Sequence, residues 1–212
     1  MKIKWFGHSC FLLTSSNGAR ILTDPFDESV GYKVPEVEAD IVTTSHNHYD
    51  HNYLGAVRGE FIHLDTPGHF VVRDIEITGI GTYHDKEYGR KRGGNIVYVF
   101  SMDGLKICHL GDLGHLLNDS QLREIGQVDV LLIPVGGIYT IDYKEAVELV
   151  NLIDPKLVIP MHYKTPATSF SIDGAENFLD SVGSMDSAGK QEIEINADTF
   201  HPTSRVLLLN YE

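Results

Sequence analysis

Three histidines and an aspartate fall within "SHNHYDH", residues 45–51 of a 212-residue chain that holds 11 histidines in all. Imidazole nitrogen and carboxylate oxygen are the donors that zinc, manganese and iron accept. The run follows "ADIVTTS", whose β-branched and apolar residues read as a buried strand, so the cluster stands where the chain leaves a sheet edge. Extended backbone alternates its side chains, which sends His46, His48 and Asp50 to one side. His51 then opens a turn into a short helix over "NYLGAV" and approaches from another direction. One loop can thus serve two adjacent ions. A solvated polar loop rarely sets four ligand-type side chains directly behind a buried strand.

A catalytic centre needs further ligands from other strand ends. Asp112 follows "ICHLG", His162 follows "KLVIPM" and His84 follows "ITGIGTY", each at the end of an apolar run. A carboxylate at position 112 is suited to bridging two ions.

These residues must be positioned by a scaffold, and the chain describes one twice. "FLLTSS" and "ARILTDP" flank Asn17-Gly18, and "NIVYVFSMDGLKICHLGD" repeats the pattern around Asp103-Gly104, so each half opens with a hairpin. Asp24 and Asp112 end the two hairpins, and "DIVTTS" and "DVLLIPVGG" follow them at matching distances as buried strands. Helices come later. In "DYKEAVELVNLID", Asp142 and Glu145 form a capping box, Ala146, Val147, Val150 and Ile153 make one apolar face, and Pro155 ends the run. "DGAENFLDSVG", from Asp173 to Gly183, and "DSQLREIG", ending at Gly126, repeat that grammar. A duplicated β-rich unit with outer helices, two sheets face to face, is the economical reading. No linker or low-complexity segment divides residues 1–212, which are expected to form a single domain.

Composition narrows the function. The 30 acidic against 17 basic residues give a net charge of −13, which argues against a surface made for nucleic acid. No long apolar run predicts a membrane span, and the opening "MKIKWFGHSC" lacks a signal-peptide core, so the expected location is cytoplasmic. Cys10 and Cys108, the two cysteines, sit in apolar strand patterns and read as core residues of a reducing compartment.

"HNHYDH" resembles the HxHxDH signature of the metallo-β-lactamase superfamily. "LTDPF", "YHD", "HLGD" and "IPMHY" resemble, in order, the remaining motifs of its small prokaryotic metal-dependent hydrolases. The resemblance covers nearly the whole chain and implies an α/β (α+β) fold, a four-layer αββα sandwich of two similar halves. Carried onto these residues, it implies a first metal held by His46, His48 and His84, a second by Asp50, His51 and His162, and Asp112 bridging both. His69 in "TPGHF" and His109 before Asp112 are the alternatives to His84, which is preferred because "YHD" ends an apolar run. Asp24 resembles the buried carboxylate that orients a ligand from behind.

The implied chemistry is hydrolysis by a hydroxide bound at a dinuclear site of divalent ions, zinc first and manganese or iron as alternatives. Asp50 is both ligand and proton acceptor, and His115, Tyr163 or a metal-bound water is the candidate proton donor to the leaving group. The loop "DKEYGRKRGGN" concentrates Lys86, Arg90, Lys91 and Arg92 directly after His84. It reads either as a solvated hairpin loop or as positive charge overhanging the site. The second reading makes the substrate small and anionic: an ester, lactone or phosphodiester. "PVGGIY" is expected at the site rim, its glycines allowing close backbone approach. His8 in "FGHSCF" reads equally as a pocket residue or a structural histidine, and His63 and His201 read as structural or surface. The rival reading is a metal-binding or ligand-sensing protein without turnover. A homo-oligomer is compatible with either.

Overall fold

The computed structural model describes residues 1–183 and 185–211. One sheet runs in the order β15 (Glu192–Glu194), β1 (Lys2–Gly7), β2 (Cys10–Thr14), β3 (Arg20–Thr23), β5 (Ile41–Thr43) and β7 (Ile62–Leu64). The other contains β8 (Gly68–Val72), β9 (Ile75–Tyr83), β10 (Gly94–Met102), β11 (Leu105–His109), β12 (Val130–Pro134) and β13 (Leu157–Met161). It continues through β16 (Val206–Leu208) to β14 (Met185–Ser187). A short parallel pair, β4 (Val37–Glu38) and β6 (Val57–Arg58), stands apart from both.

The duplication expected from the sequence is visible in the pairing. β2 and β3 are antiparallel, and β5 and β7 continue parallel from β3. β10 and β11 are antiparallel, and β12 and β13 continue parallel from β11. The second hairpin turns on Asp103 and Gly104, both at positive φ (51° and 74°), the two-residue turn whose twist matches that of the flanking strands. β12 and β13 are buried at every position, as parallel strands covered on both faces must be, whereas β1 alternates.

Between the sheets lies the larger core, where Trp5, Phe11 and Leu13 meet Tyr98, Phe100 and Ile159. Each such aliphatic or aromatic side chain contributes roughly 1.5–3 kcal/mol through its removal from water. On the outer face of the second sheet, α1 (Asp119–Ile125), α2 (Tyr143–Ile153) and α3 (Glu176–Val182) insert Ile125, Leu149, Val150 and Phe178 over Val99, Leu131 and Ile133. The fourth layer, over the first sheet, is built of loops and 3₁₀ turns carrying Phe26, Val30 and Tyr32 onto Cys10, Leu22 and Val42.

The capping box of α2 forms as expected, with Asp142 accepting the amides of Lys144 and Glu145. Two helix starts differ from expectation. α1 is capped by Asn118, with Gln121 reaching back, because Asn118 stands in extended backbone one residue ahead of Asp119. α3 begins at Glu176 rather than near Asp173, whose backbone is committed elsewhere: its amide donates to the Gly136 carbonyl and its carbonyl accepts the Lys164 amide, each at 2.8 Å. Among the described residues no helix is long and apolar enough to cross a membrane.

Candidate metal centre

Asp24, the HxHxDH run, His84, Asp112 and His162 sit past the C-terminal ends of β3, β5, β9, β11 and β13, and His8 joins them past the end of β1. The chain does not stay extended beyond Ser45, as the alternation argument assumed. It turns at once, the amide of His51 donating to the His48 carbonyl at 3.0 Å, so Asp50 leaves the side shared by His46 and His48. Asp24 shapes this turn from beneath. Its carboxylate accepts the Ser45 amide and hydroxyl, both at 2.7 Å, and Nδ1–H of His51 at 2.9 Å. The two halves join here through the Ile96 amide, which donates to the Ser45 carbonyl at 2.8 Å.

Asp112 is the centre of the cluster. Its Oδ2 lies 3.3 Å from Nε2 of each of His51, His84 and His162. His46, His48 and His84 offer nitrogens that all lie within 4.8 Å of one another, as do His8, His51 and His162. Asp50 Oδ2 stands 3.2 Å from Nε2 of His8 and 3.6 Å from Nε2 of His51.

Two zinc ligands about 2.0–2.1 Å from a tetrahedral ion stand about 3.3 Å apart, the spacing seen repeatedly here. Unsatisfied atoms support the fit. His46 Nε2 and Asp112 Oδ1 are buried without a hydrogen-bond partner, a pairing of donor atoms that calls for a ligand. His46 shows the polarity most plainly, since its Nδ1 is engaged by the Ser45 hydroxyl at 2.9 Å while Nε2 faces the cluster. The residues present therefore suit one or more divalent ions.

Electrostatics keep these donors in ligating form. Burial, reinforced by His51 nearby, pushes the His46 imidazole down to about 3. Burial and His162 bring His8 down to about 4. Burial also lowers His84, against the pull of Asp112. Burial opposes ionisation of Asp112, but His162 and His51 outweigh it and hold the carboxyl well below its ordinary range. Asp50 is likewise held down by the His8 hydrogen bond and His51, despite burial. His51 is the exception: burial favours its neutral form, yet Asp112 and Asp24 raise it well above the usual imidazole value.

Above the cluster opens a cavity of about 500 Å³, lined by His48, Asp50, His84, Asp112 and His162 and by Tyr49, Arg92, Tyr139 and Phe170. The basic loop reaches it as one of its two sequence readings required. Asp85 folds the loop by accepting the amides of Glu87, Gly89, Lys91 and Arg92. Lys86 pairs with Glu145 at 2.6 Å and Lys91 pairs with Glu87. Arg92 has no acidic partner among the described residues; it stacks 5.6 Å over the Tyr139 ring and donates to the Ile138 carbonyl.

Two glycines let backbone close on the ligands. A β-carbon at Gly114 would fall 2.3 Å from the His84 carbonyl carbon, and one at Gly136 would fall 2.2 Å from the His162 carbonyl oxygen. The expected role of "PVGGIY" at the rim is met by Gly136 and Tyr139.

Several sequence candidates lie elsewhere. His115 is not brought into the cavity: its Nε2 accepts the Tyr83 amide at 3.1 Å and its Nδ1 donates to the Leu116 carbonyl at 2.8 Å, so neither nitrogen is free to carry a proton to a substrate. Tyr163 packs against Trp5, 5.5 Å between ring centroids, and burial drives its hydroxyl well above the usual phenol value. His109 is spent between the Ser9 carbonyl and the Gly111 amide, and exposed His69 engages Thr78. Both cysteines are buried and free. Conversely, His8 stands inside the cluster and Phe170 on the cavity wall. Of the two readings of His8 in "FGHSCF", the pocket one is where the structure puts it; Phe170 had no signal.

The β-lactamase superfamily domain model matches residues 2–162. A UPF0173 metal-dependent hydrolase from Archaeoglobus fulgidus is 30% identical over 197 residues, 78% of this chain and 84% of that protein. One from Thermococcus onnurineus is 31% identical over 193 residues, 78% and 85% of the two chains. A crystal structure from Thermotoga maritima, proposed as a Zn-dependent hydrolase of the metallo-β-lactamase superfamily, is 43% identical. It superposes with a TM-score of 0.82 over 98% of this chain and 97% of that one. The chain belongs to the metallo-β-lactamase superfamily and, within it, to the metal-dependent hydrolases.

Proposed function

We propose that this hydrolase cleaves a small anionic ester, lactone or phosphodiester at a pair of divalent ions, zinc in the first place and manganese or iron as alternatives. In this reading His46, His48 and His84 hold one ion, Asp50, His51 and His162 hold the other, and Asp112 bridges them. The observation that carries it is the set of imidazole nitrogens packed around Asp112, with Asp112 Oδ1 and His46 Nε2 buried without any protein partner. Ions bound there would supply an acidified water and positive charge where charge develops on the substrate oxygen.

The chain's own groups do the rest. Asp50, held deprotonated, offers Oδ2 as the acceptor of the water's proton. Arg92, with no acidic partner among the described residues, offers the guanidinium that a carboxylate or phosphate would engage. Tyr49, Tyr139 and Phe170 flank the opening and limit water around the scissile group. Residues 1–212 act as one domain in this reading. The acidic balance of 30 to 17 disfavours nucleic acid, and the unpaired cysteines suit a reducing cytoplasm.

The test strips the protein with chelator, reloads it with zinc, manganese or iron, and assays aryl phosphodiesters and matched pairs of carboxylate-bearing and neutral lactones and aryl esters. Metal-dependent turnover favouring the anionic member about tenfold or more is expected, the scale of one charge-assisted hydrogen bond. Preference for the neutral member would remove the anionic reading, and turnover indifferent to chelation would remove the metal-dependent one.

A further inference from the structure

We propose that His8 is an additional ligand of the second ion, so that each ion is held by three imidazoles and the pair selects zinc over manganese. The assignment rests on the two-ion reading above and adds to the donors that reading names.

His8 lies in the turn between β1 and β2, far in sequence from the other donors, and it is buried. Its Nε2 is 3.1 Å from Nε2 of His51 and 3.2 Å from Asp50 Oδ2. Its ring centroid is 4.3 Å from that of His162. His51 gives its Nδ1–H to Asp24, so Nε2 is the ring nitrogen that it turns toward His8 Nε2 and Asp112. Two imidazole nitrogens at this separation have the spacing of neighbours on one ion, about 3.3 Å for tetrahedral zinc.

The backbone shows how firmly the ring is held. His8 is left-handed at φ 51°, a conformation rare for residues with a β-carbon, and His162 shares it at φ 50°. Such conformations persist where the surroundings over-determine them, and they gather at functional sites. Here the two are tied together. The His8 carbonyl accepts the His162 amide at 3.1 Å and the indole N–H of Trp5 at 3.1 Å. The first turn of one sheet is thereby fixed to the ligand loop of the other.

With His8 the pair of sites would be held by six imidazoles against two carboxylates, Asp50 and the shared Asp112, so nitrogen is the majority donor at both. Zinc accepts such a set, whereas manganese favours carboxylate, carbonyl and water oxygen. The competing role for His8 is a hydrogen bond that merely steadies Asp50. Glutamine distinguishes the two, because its amide N–H can still reach a carboxylate while the imidazole donor is lost. Asparagine, which tolerates left-handed backbone well, provides a second variant if glutamine strains the turn.

Metal-free wild type, His8→Gln and His8→Asn are titrated with Zn²⁺ against a chromophoric chelator. Each is also loaded from an equimolar Zn²⁺/Mn²⁺ mixture and weighed for both metals, and metal-free melting checks that the variants fold. Wild type is expected to take two zinc ions and no manganese. The variants keep one zinc with unchanged affinity, while the second weakens by about 100-fold or more, beyond the 10–100-fold that loss of an outer partner brings. If the folded variants retain the second zinc within about threefold, His8 only steadies Asp50 and the assignment is overturned. Fewer than two zinc ions on wild type overturns the two-ion reading itself and this assignment with it, a result visible before any variant is compared.

Discussion

The Asp24 carboxylate accepts Nδ1–H of His51 at 2.9 Å while the same carboxylate holds the amide and hydroxyl of Ser45. One buried acid thus fixes both the start of the HxHxDH turn and the tautomer of a donor within it. Asp24→Asn sets amide hydrogens against these donors. It should weaken the ion held by His51 by about 10–100-fold in a chelator titration. Urea unfolding of the metal-free form should show a loss of about 1–3 kcal/mol.

Acid should loosen the stripped protein in a defined window. His8 and His46 have folded pKa values near 4 and 3 against about 6.5 when unfolded, so below 6.5 the unfolded chain binds protons that the folded chain refuses. Stability from these groups is full above pH 6.5 and declines as pH falls towards 4. His51, raised rather than lowered, keeps its contribution in acid, and the depressed aspartates lose theirs only below about pH 4. The unfolding free energy from urea titration should therefore drop between pH 7 and 5, by on the order of 2–4 kcal/mol in total. A flat profile there would contradict the buried neutral imidazoles.

Arg92→Ala removes a cavity cation that has no acidic partner among the described residues. KM for an anionic substrate should rise about 10- to 100-fold with kcat little changed, since the contact binds ground state and transition state alike. The neutral member of the same pair should change less than threefold.

Gly114→Ala tests how closely the two halves must approach. Its β-carbon would meet the backbone of His84 and Asp85 rather than a movable side chain, so His84 must shift. Melting should fall by the equivalent of about 1–3 kcal/mol, and the ion held by His84 should exchange faster, while the ion at His51 and His162 is retained.

Much of this was readable beforehand because it depends on local pattern. The paired hairpins, the all-buried β12 and β13 and the capping box of α2 follow from turn residues, apolar runs and cap spacing, and the structure repeats the duplication strand for strand. Asp24 and Asp112 were found by their matching places after β3 and β11. What escaped depends on the tertiary path. Alternation along "SHNHYDH" assumed extended backbone, but the Asp24 hold on Ser45 bends it at once. His115 is three residues from Asp112, yet the turn takes it to the Tyr83 amide. For His8 the sequence leaves pocket and structural roles equally open, because its place depends on its carbonyl pairing with the His162 amide across more than 150 residues, a contact no spacing rule encodes.

Metal content tests the dinuclear centre most directly. Protein purified without chelators is analysed for metal per chain, beside His48→Ala and His84→Ala. About two equivalents of zinc, manganese or iron, falling in both variants, is the predicted result. One equivalent or less in the wild type, unchanged by His84→Ala and not restored by added metal, would contradict the dinuclear centre.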